Sequence, residues 1–257
     1  MPKGCDRVRF DAISVIPAVF EGYVSASILG RAQVRGIFEF HAHDLRTWTH
    51  DRHRTVDDAP FGGGQGMLMK PEPIFEAVEA VSAMAQTKPH VIFFSPCGKP
   101  FTQRDAERLA DYDRILFVCG RYEGMDERVY RLADEVISLG DYVLTGGELA
   151  AMTVTDAVVR LLPGALGDAQ SPVDESFAGS LLEYEQYTRP ATYCGLEVPE
   201  ILLSGDHGAI DRWRRENAIR RTALMRPDLL DGADLTEGER AFAQGVIDNR
   251  EQGEGGC

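Results

Sequence analysis

The chain has 257 residues, 44% hydrophobic and 26% charged, with a net charge of −14. That is the balance of a globular protein of one large or two unequal domains, and it excludes disorder along the whole length. No apolar run reaches the length of about eighteen needed to span a membrane, and residues 1–10 lack the apolar stretch of a secretory signal, so a cytoplasmic protein is expected.

In chain order, apolar β-rich runs and helical patterns alternate. A strand is predicted at 10–16, a helix at 18–30, a strand at 37–41 and a helix at 72–86. Strands follow at 90–95, 115–119 and 135–139, with helices at 102–111 and 126–133 between them. Thr102 and Asp105 form a capping-box pair at the start of one of these helices. A longer helix at 148–162 ends at Pro163 and Gly164. This alternation predicts an α/β fold, a mostly parallel sheet with helices on both faces. Residues 164–180, rich in Gly, Ala, Ser and Asp without period, predict a flexible linker between a first domain, 1–163, and a small helical second domain, 181–257. Helices at 209–224 and 236–248 are its main elements, and the last residues are Gly/Glu-rich and expected to fray.

Five cysteines, at 5, 97, 119, 194 and 257, are odd in number and widely spaced, with no CxxC. This excludes a disulfide framework and a zinc finger, and Cys97 and Cys119 are expected as buried thiols. Taken alone, the negative charge argues against nucleic acid. Its distribution says more. Of 27 basic residues 23 are Arg, the side chain suited to bidentate phosphate contacts. Six of them fall between Arg212 and Arg226 with one acid, Glu216, and eight acids follow against Arg240 and Arg250. The basic segment is either a solvated helix face or a phosphate-binding one.

Four segments are candidates for chemistry. The run THDRHRTVDDAPFGGGQGM at 49–67 is too irregular for a helix and too polar for a core strand, and its glycines permit close approach of a ligand. It lacks the spacing of a Walker A loop or a dinucleotide fingerprint. Its histidines could bind a metal, but a solvated loop is favoured over a metal site, and no metal ligands are assigned. The others are FFSPCG at 93–98, CGRYEGMDER at 119–128 and SLGDYVLTGGE at 138–148, each at the carboxyl end of a predicted strand. Together, at one sheet end, they describe a pocket floor of backbone N–H and C=O groups suited to a nucleoside.

These segments, with RLLPGALG at 160–167, YTRP at 187–190 and VPEILLSGDH at 198–207, closely resemble the bacterial tRNA (guanine-N1)-methyltransferases of the TrmD type, a SPOUT-class family. The resemblance runs from about Phe10 to about Leu230. It implies methyl transfer from S-adenosylmethionine to N1 of the guanine at tRNA position 37. It also implies a deep trefoil knot in the first domain, a homodimer with shared active sites, and a second domain that holds tRNA, with no role for DNA or membrane. Cofactor contacts carry over to Ser95, Pro96, Gly120, Tyr122, Glu123, Leu139, Gly140, Asp141, Tyr142, Val143, Leu144, Gly146 and Gly147. Nucleic-acid contacts carry over to Arg52, Arg54, Asp57, Gly62, Gly63, Gly64, Arg189, His207, Arg212, Arg214 and Arg215. A dependence on Mg²⁺ is implied without a site.

In the family an Asp of the linker is the proposed base and an Arg at the end of the preceding helix its partner. The Arg is Arg160. A gap-free register from Arg160 to Phe177 puts the base on Glu175, one methylene longer than the family's Asp, with the adjacent Asp174 as the alternative. The chain also departs from the pattern at Phe93 and Phe94, where Tyr-Leu is common, and at Gln65, where Pro is common. Two rivals are an ordinary Rossmann enzyme and a cofactor- and RNA-binding protein of the same fold without catalysis. The first requires a Gly-rich turn after the first strand, where this chain has Pro17-Ala-Val-Phe20.

Overall fold

The computed structural model describes residues 7–166 and 176–254. The chain divides into two compact units, Met1–Ala169 and Gln170–Cys257.

In the first unit the strands are β1 (Val8–Ser14), β2 (Phe38–Asp44), a short hairpin of β3 (Asp57–Asp58) and β4 (Leu68–Met69), then β5 (His90–Pro100), β6 (Arg114–Val118) and β7 (Glu135–Ser138). Its helices are α1 (Glu21–Val24), α2 (Ser27–Val34), α3 (Pro71–Ser82), α4 (Gln103–Leu109) and α5 (Glu148–Val159). Five strands form one parallel sheet in the order β2-β1-β6-β5-β7. Central β6 is buried along its whole length, as a strand covered on both faces must be. Ile115 and Phe117 join Phe10 and Ala12 on the face covered by α2, α4 and α5, while Leu116 and Val118 join Ile13 on the face covered by α3.

That second face also buries charge. Asp11 is 0% exposed and Arg114 1% exposed, and Arg114 Nε donates to Asp11 Oδ2 at 2.9 Å. Arg9 adds a fork at 2.7 and 2.8 Å, and His43 Nε2 lies 2.8 Å from Asp11 Oδ1. Arg114 also donates to the carbonyls of Val81, Ser82 and Thr87, so it closes the carboxyl end of α3. Burial pushes the Asp11 carboxyl up, but the hydrogen bonds from His43, Arg9 and Arg114 outweigh it and hold the group well below the usual carboxylate range.

Several elements depart from the sequence expectation. The helix expected at 18–30 is split into a 3₁₀ turn (Pro17–Val19), α1 and α2, because Ala26 is extended and Ser27 takes φ +47°. The helix expected at 126–133 is a 3₁₀ segment, Glu127–Leu132, capped by Asp126. Strand β5 runs past 95 to Pro100, and its pairing with β7 breaks: both Phe94 and Lys99 align with Ile137. Residues 95–98 therefore leave the ladder as an excursion. It presses on the neighbouring strand so closely that a Cβ on Gly98 would lie 2.6 Å from the Ile137 carbonyl carbon. This excursion exposes Cys97, against the expectation that it is buried; Cys119 is buried, and burial pushes its thiol up. Asp105 accepts from Thr102 N–H at 3.0 Å and Oγ–H at 2.6 Å, as the capping pair requires. Residues 164–166, expected in the linker, pack with the first unit: Ala165 is buried in its core and Gly164 O accepts from Arg35.

The second unit holds a hairpin, β8 (Thr192–Tyr193) and β9 (Leu196–Glu197), followed by α6 (Glu200–Leu203), α7 (His207–Met225) and α8 (Glu237–Glu254). Cys194 and Gly195 both have positive φ at the hairpin turn, a two-residue geometry the sequence analysis missed. Leu181, Ile219, Ala223, Ala233, Leu235 and Ala243 make its core.

Replacing Asp11 by Asn or Arg114 by Met should lower the unfolding free energy by about 3–5 kcal/mol in denaturant titration, since each strands a buried charge. Because the folded Asp11 titrates below its unfolded value, its contribution is present above about pH 4 and is lost as pH falls through the acid range. Asp11→Asn should therefore flatten the acid limb of the stability profile.

Candidate active site

The carboxyl ends of β5, β6 and β7 surround a cavity of about 370 Å³, at the edge where ligands of parallel sheets bind. The β5 excursion contributes Phe94, Ser95 and Pro96, and the turn after β6 contributes residues 120–125. The segment from Ser138 to Gly147 closes the third side, except for Asp141. Of the thirteen residues expected at a cofactor, all but Asp141 line this cavity. The walls are apolar at Phe94, Ile137, Leu139, Leu144 and Ala150, and Gly120, Gly124, Gly140, Gly146 and Gly147 offer only main chain as a floor.

The floor is built by close approach. Gly147 N–H donates to Gly120 O at 2.9 Å, and a Cβ on Gly147 would lie 2.9 Å from Cys119 Cα. Below it sits Glu148, the first residue of α5 and 2% exposed. Its carboxylate accepts from Ser14 Oγ at 2.6 Å and from Arg121 Nε at 3.2 Å. The side chain of Arg121 is thereby fixed where it lines the cavity. Tyr130 also lines the cavity, and burial pushes its phenol up. Arg121, Tyr130 and Glu148 were missed in the sequence. Arg121 and Glu148 lie inside quoted motifs, and only their burial against one another distinguishes them from surface charges.

The Gly-rich segment is fastened to the same turn. Glu123 N–H donates to Met67 O at 3.1 Å, and Met69 N–H to Gly124 O at 2.9 Å. Tyr122 takes φ +60°, and burial together with the nearby Asp57 carboxylate raises its phenol above the ordinary range. Among the residues expected at nucleic acid, Arg52 is exposed and Arg54 lies 3.8 Å from Asp44. Gly62, Gly63 and Gly64 all have positive φ in the loop between β3 and β4.

In the second unit Arg189 and Arg212 are exposed, and His207 opens α7. The Arg214 guanidinium lies 4.9 Å from the Tyr184 ring centre. Arg215 is committed internally: it donates to Glu239 at 2.7 Å and to Asp234 O at 2.7 Å, clasping α7 to the start of α8. The hydrogen bond from Arg215 holds Glu239 down to about 2. Arg160 forms the carboxyl-terminal cap of α5. Glu175 and Asp174 lie outside the described residues. Among the described residues no three His, Cys, Asp or Glu side chains converge as a metal site.

A cavity with a glycine floor, apolar walls and main-chain polar groups fits a nucleoside-containing cofactor. The close approach at Gly147 gives a direct check. Gly147→Ala forces a methyl onto the β6 backbone and should cost about 1–3 kcal/mol in thermal or denaturant unfolding. It should also abolish the calorimetric binding of S-adenosylhomocysteine.

The chain from residue 8 to 232 matches the family model described as tRNA (Guanine-1)-methyltransferase TrmD. Relatives named tRNA (guanine-N(1)-)-methyltransferase include a protein of Chloroflexus aggregans, 54% identical over 93% of this chain and 91% of its own length. One of Syntrophotalea carbinolica is 48% identical over 95% of this chain and 99% of its own. One of Bacillus subtilis is 49% identical over 91% and 97%. A match of this extent, with these motifs gathered at one cavity, means that the chain belongs to the TrmD family of tRNA (guanine-1)-methyltransferases.

Proposed function

We propose that this chain transfers a methyl group from S-adenosylmethionine to N1 of the guanine at position 37 of tRNA. The observation that carries this is a cavity at the ends of β5, β6 and β7, lined by twelve of the thirteen expected cofactor residues in a chain that belongs to this family. When bound, the cofactor would supply a methyl group activated by a sulfonium, with a neutral thioether as its leaving group.

The chain's own residues do the rest. The main chain of the glycine floor reads the polar edges of the nucleoside, and Leu139, Leu144 and Phe94 exclude water from its flat faces. Guanine N1 carries a proton and is a poor nucleophile, so a carboxylate must take that proton as the bond forms. Glu175 is assigned as this base, with Asp174 as the alternative. Negative charge then develops on O6, and Arg160 is the fixed cation that stabilises it. A Mg²⁺ requirement is part of the family expectation and is left without ligands here.

The domain roles are assigned likewise: cofactor binding to 1–163, a linker at 164–180, and tRNA binding to 181–257 together with Arg52, Arg54, Asp57 and the 62–64 glycines. A trefoil knot is supported by the path from β7. That chain crosses beyond β5 to reach Gly120 at the end of β6, beside the 95–98 excursion. A homodimer is supported by apolar surface left at Ile16, Val19, Tyr23 and Leu149. Burial, with the nearby Asp156 carboxylate on α5, raises the Tyr23 phenol, so this surface spans the first turn and α5. No helix among the described residues is long and apolar enough to cross a membrane, and a cytoplasmic site of action accords with a tRNA substrate.

The test is methyl transfer from labelled S-adenosylmethionine to tRNA transcripts with G or A at position 37; only G should be modified. Arg160→Ala and Glu175→Gln should each lower the rate by about 10²–10⁴, while S-adenosylhomocysteine binding survives. Glu175→Asp should retain most activity, and the rate should rise with pH and level off once the base is ionised. Loss on Asp174→Asn with an active Glu175→Gln moves the base to Asp174. Sedimentation should give a dimer, and a fully active monomer at nanomolar concentration would exclude the shared site.

A further inference from the structure

Phe61 is 101% exposed, the most exposed large hydrophobic side chain among the described residues. It belongs to none of the three apolar cores. It is also held in place by a defined turn. Pro60 O accepts from Gly63 N–H at 3.2 Å, which makes Phe61 and Gly62 the two corners, and Gly62 takes φ +86°, as the second corner of a type II turn requires. A Cβ on Gly62 or Gly63 would meet nothing within 4 Å, so the turn that carries the exposed ring is itself open. Burial does not explain an aromatic side chain at such a place; a ligand that presents a flat face does.

The root of the loop identifies that ligand. The β3–β4 stem pairs Asp57 with Met69, and Met69 bridges to Met125 on the cavity rim. Gly66 is packed on Glu123 so closely that a Cβ would lie 2.2 Å from Glu123 Cγ. Phe61 is therefore carried by a loop anchored to the rim of the candidate active site, with the cations Arg52 and Arg54 on the segment leading into it. Methylation at guanine N1 needs the Watson–Crick edge free, so the target base must leave any pairing and stacking it has. A base beside it then loses a stacking partner. A phenylalanine ring replaces that partner whatever the base, because every base has a π-face.

We propose that Phe61 is a positioning residue that stacks on an unpaired nucleobase next to the guanine to be methylated, and so holds the RNA strand at the cavity mouth. This rests on the tRNA reading above and names a contact which that reading does not assign.

The experiment measures tRNA affinity at fixed salt, S-adenosylhomocysteine affinity, melting temperature and sedimentation for the full chain and for F61A, F61L, F61Y and F61W. Stacking predicts that F61A and F61L weaken tRNA binding by about 5-fold to 100-fold while F61Y and F61W stay within about 2-fold. Cofactor-product affinity, melting and sedimentation should not move, since the ring touches neither core nor cavity. Unchanged tRNA affinity in F61A overturns the proposal. So does F61L binding as well as the parent, which would make the contact apolar rather than stacked. A change in sedimentation on F61A overturns it in favour of an interface between copies of this chain. Failure of the tRNA reading itself would be seen first and separately, as a parent chain that neither binds nor methylates tRNA.

Discussion

One buried carboxylate sets the geometry on which the site depends. Asp11, in the middle of β1, faces the side of the sheet that α3 covers, and there it must be neutralised. Arg114 does this from the adjacent strand and spends its remaining donors on the last carbonyls of α3. The helix is thereby locked to the sheet at its carboxyl end. Its amino end begins at Pro71, two residues after β4, and β4 is bonded to the turn at 124–126 that forms one cavity wall. An ion pair between two inner strands thus fixes, through a rigid helix, the height of a loop at the carboxyl end of the sheet. A hydrophobic pair of equal volume would fill the space, but it would leave the end of α3 without its hydrogen bonds.

The elements with strong apolar periodicity were legible in the sequence. The five strands and the helices α3, α4, α5, α7 and α8 all announce themselves by runs or faces that must be buried. What was not legible is where backbone follows tertiary demand instead of local pattern. The 3₁₀ segment Glu127–Leu132 has helix-like residues but only a short span between the Gly124 turn and β7 to fill. The β5 excursion exposes Cys97 because β7 claims Phe94 and Lys99 at the same register position, leaving four residues without partners. The cavity was found because its glycines and motif residues lie at strand ends. Glu148 and Arg121 were not, because a charged residue in a sequence gives no sign that a specific counter-charge 27 positions away will bury it. The assignment of a base to Glu175 or Asp174 rests on register alone, since both fall outside the described residues.

Charge follows the same lesson. A net charge of −14 is hostile to RNA, yet many acids are occupied by arginines of the same chain. Arg108 pairs with Glu135, Arg128 with Asp126, Arg215 with Glu239 and Arg226 with Asp228. Exposed pairs of this kind add little stability, about 0–1 kcal/mol each. Their effect is on the field, because they cancel charge locally and leave other cations to dominate their surroundings. Arg52, Arg189, Arg220 and Arg221 form no ion pair among the described residues. A count of charges by sequence cannot separate these two populations; pairing in three dimensions does.

The main-chain floor of the cavity has a consequence for inhibition. A ligand recognised by backbone amides and carbonyls meets groups that no substitution removes. Gly147, which shapes them against Cys119, has no space for even a methyl group. A compound seated there would therefore present a narrow target for resistance. Escape mutations would be confined to the side chains of the wall, to altered expression, or to export, because changes in the floor would disable the protein before they excluded the drug.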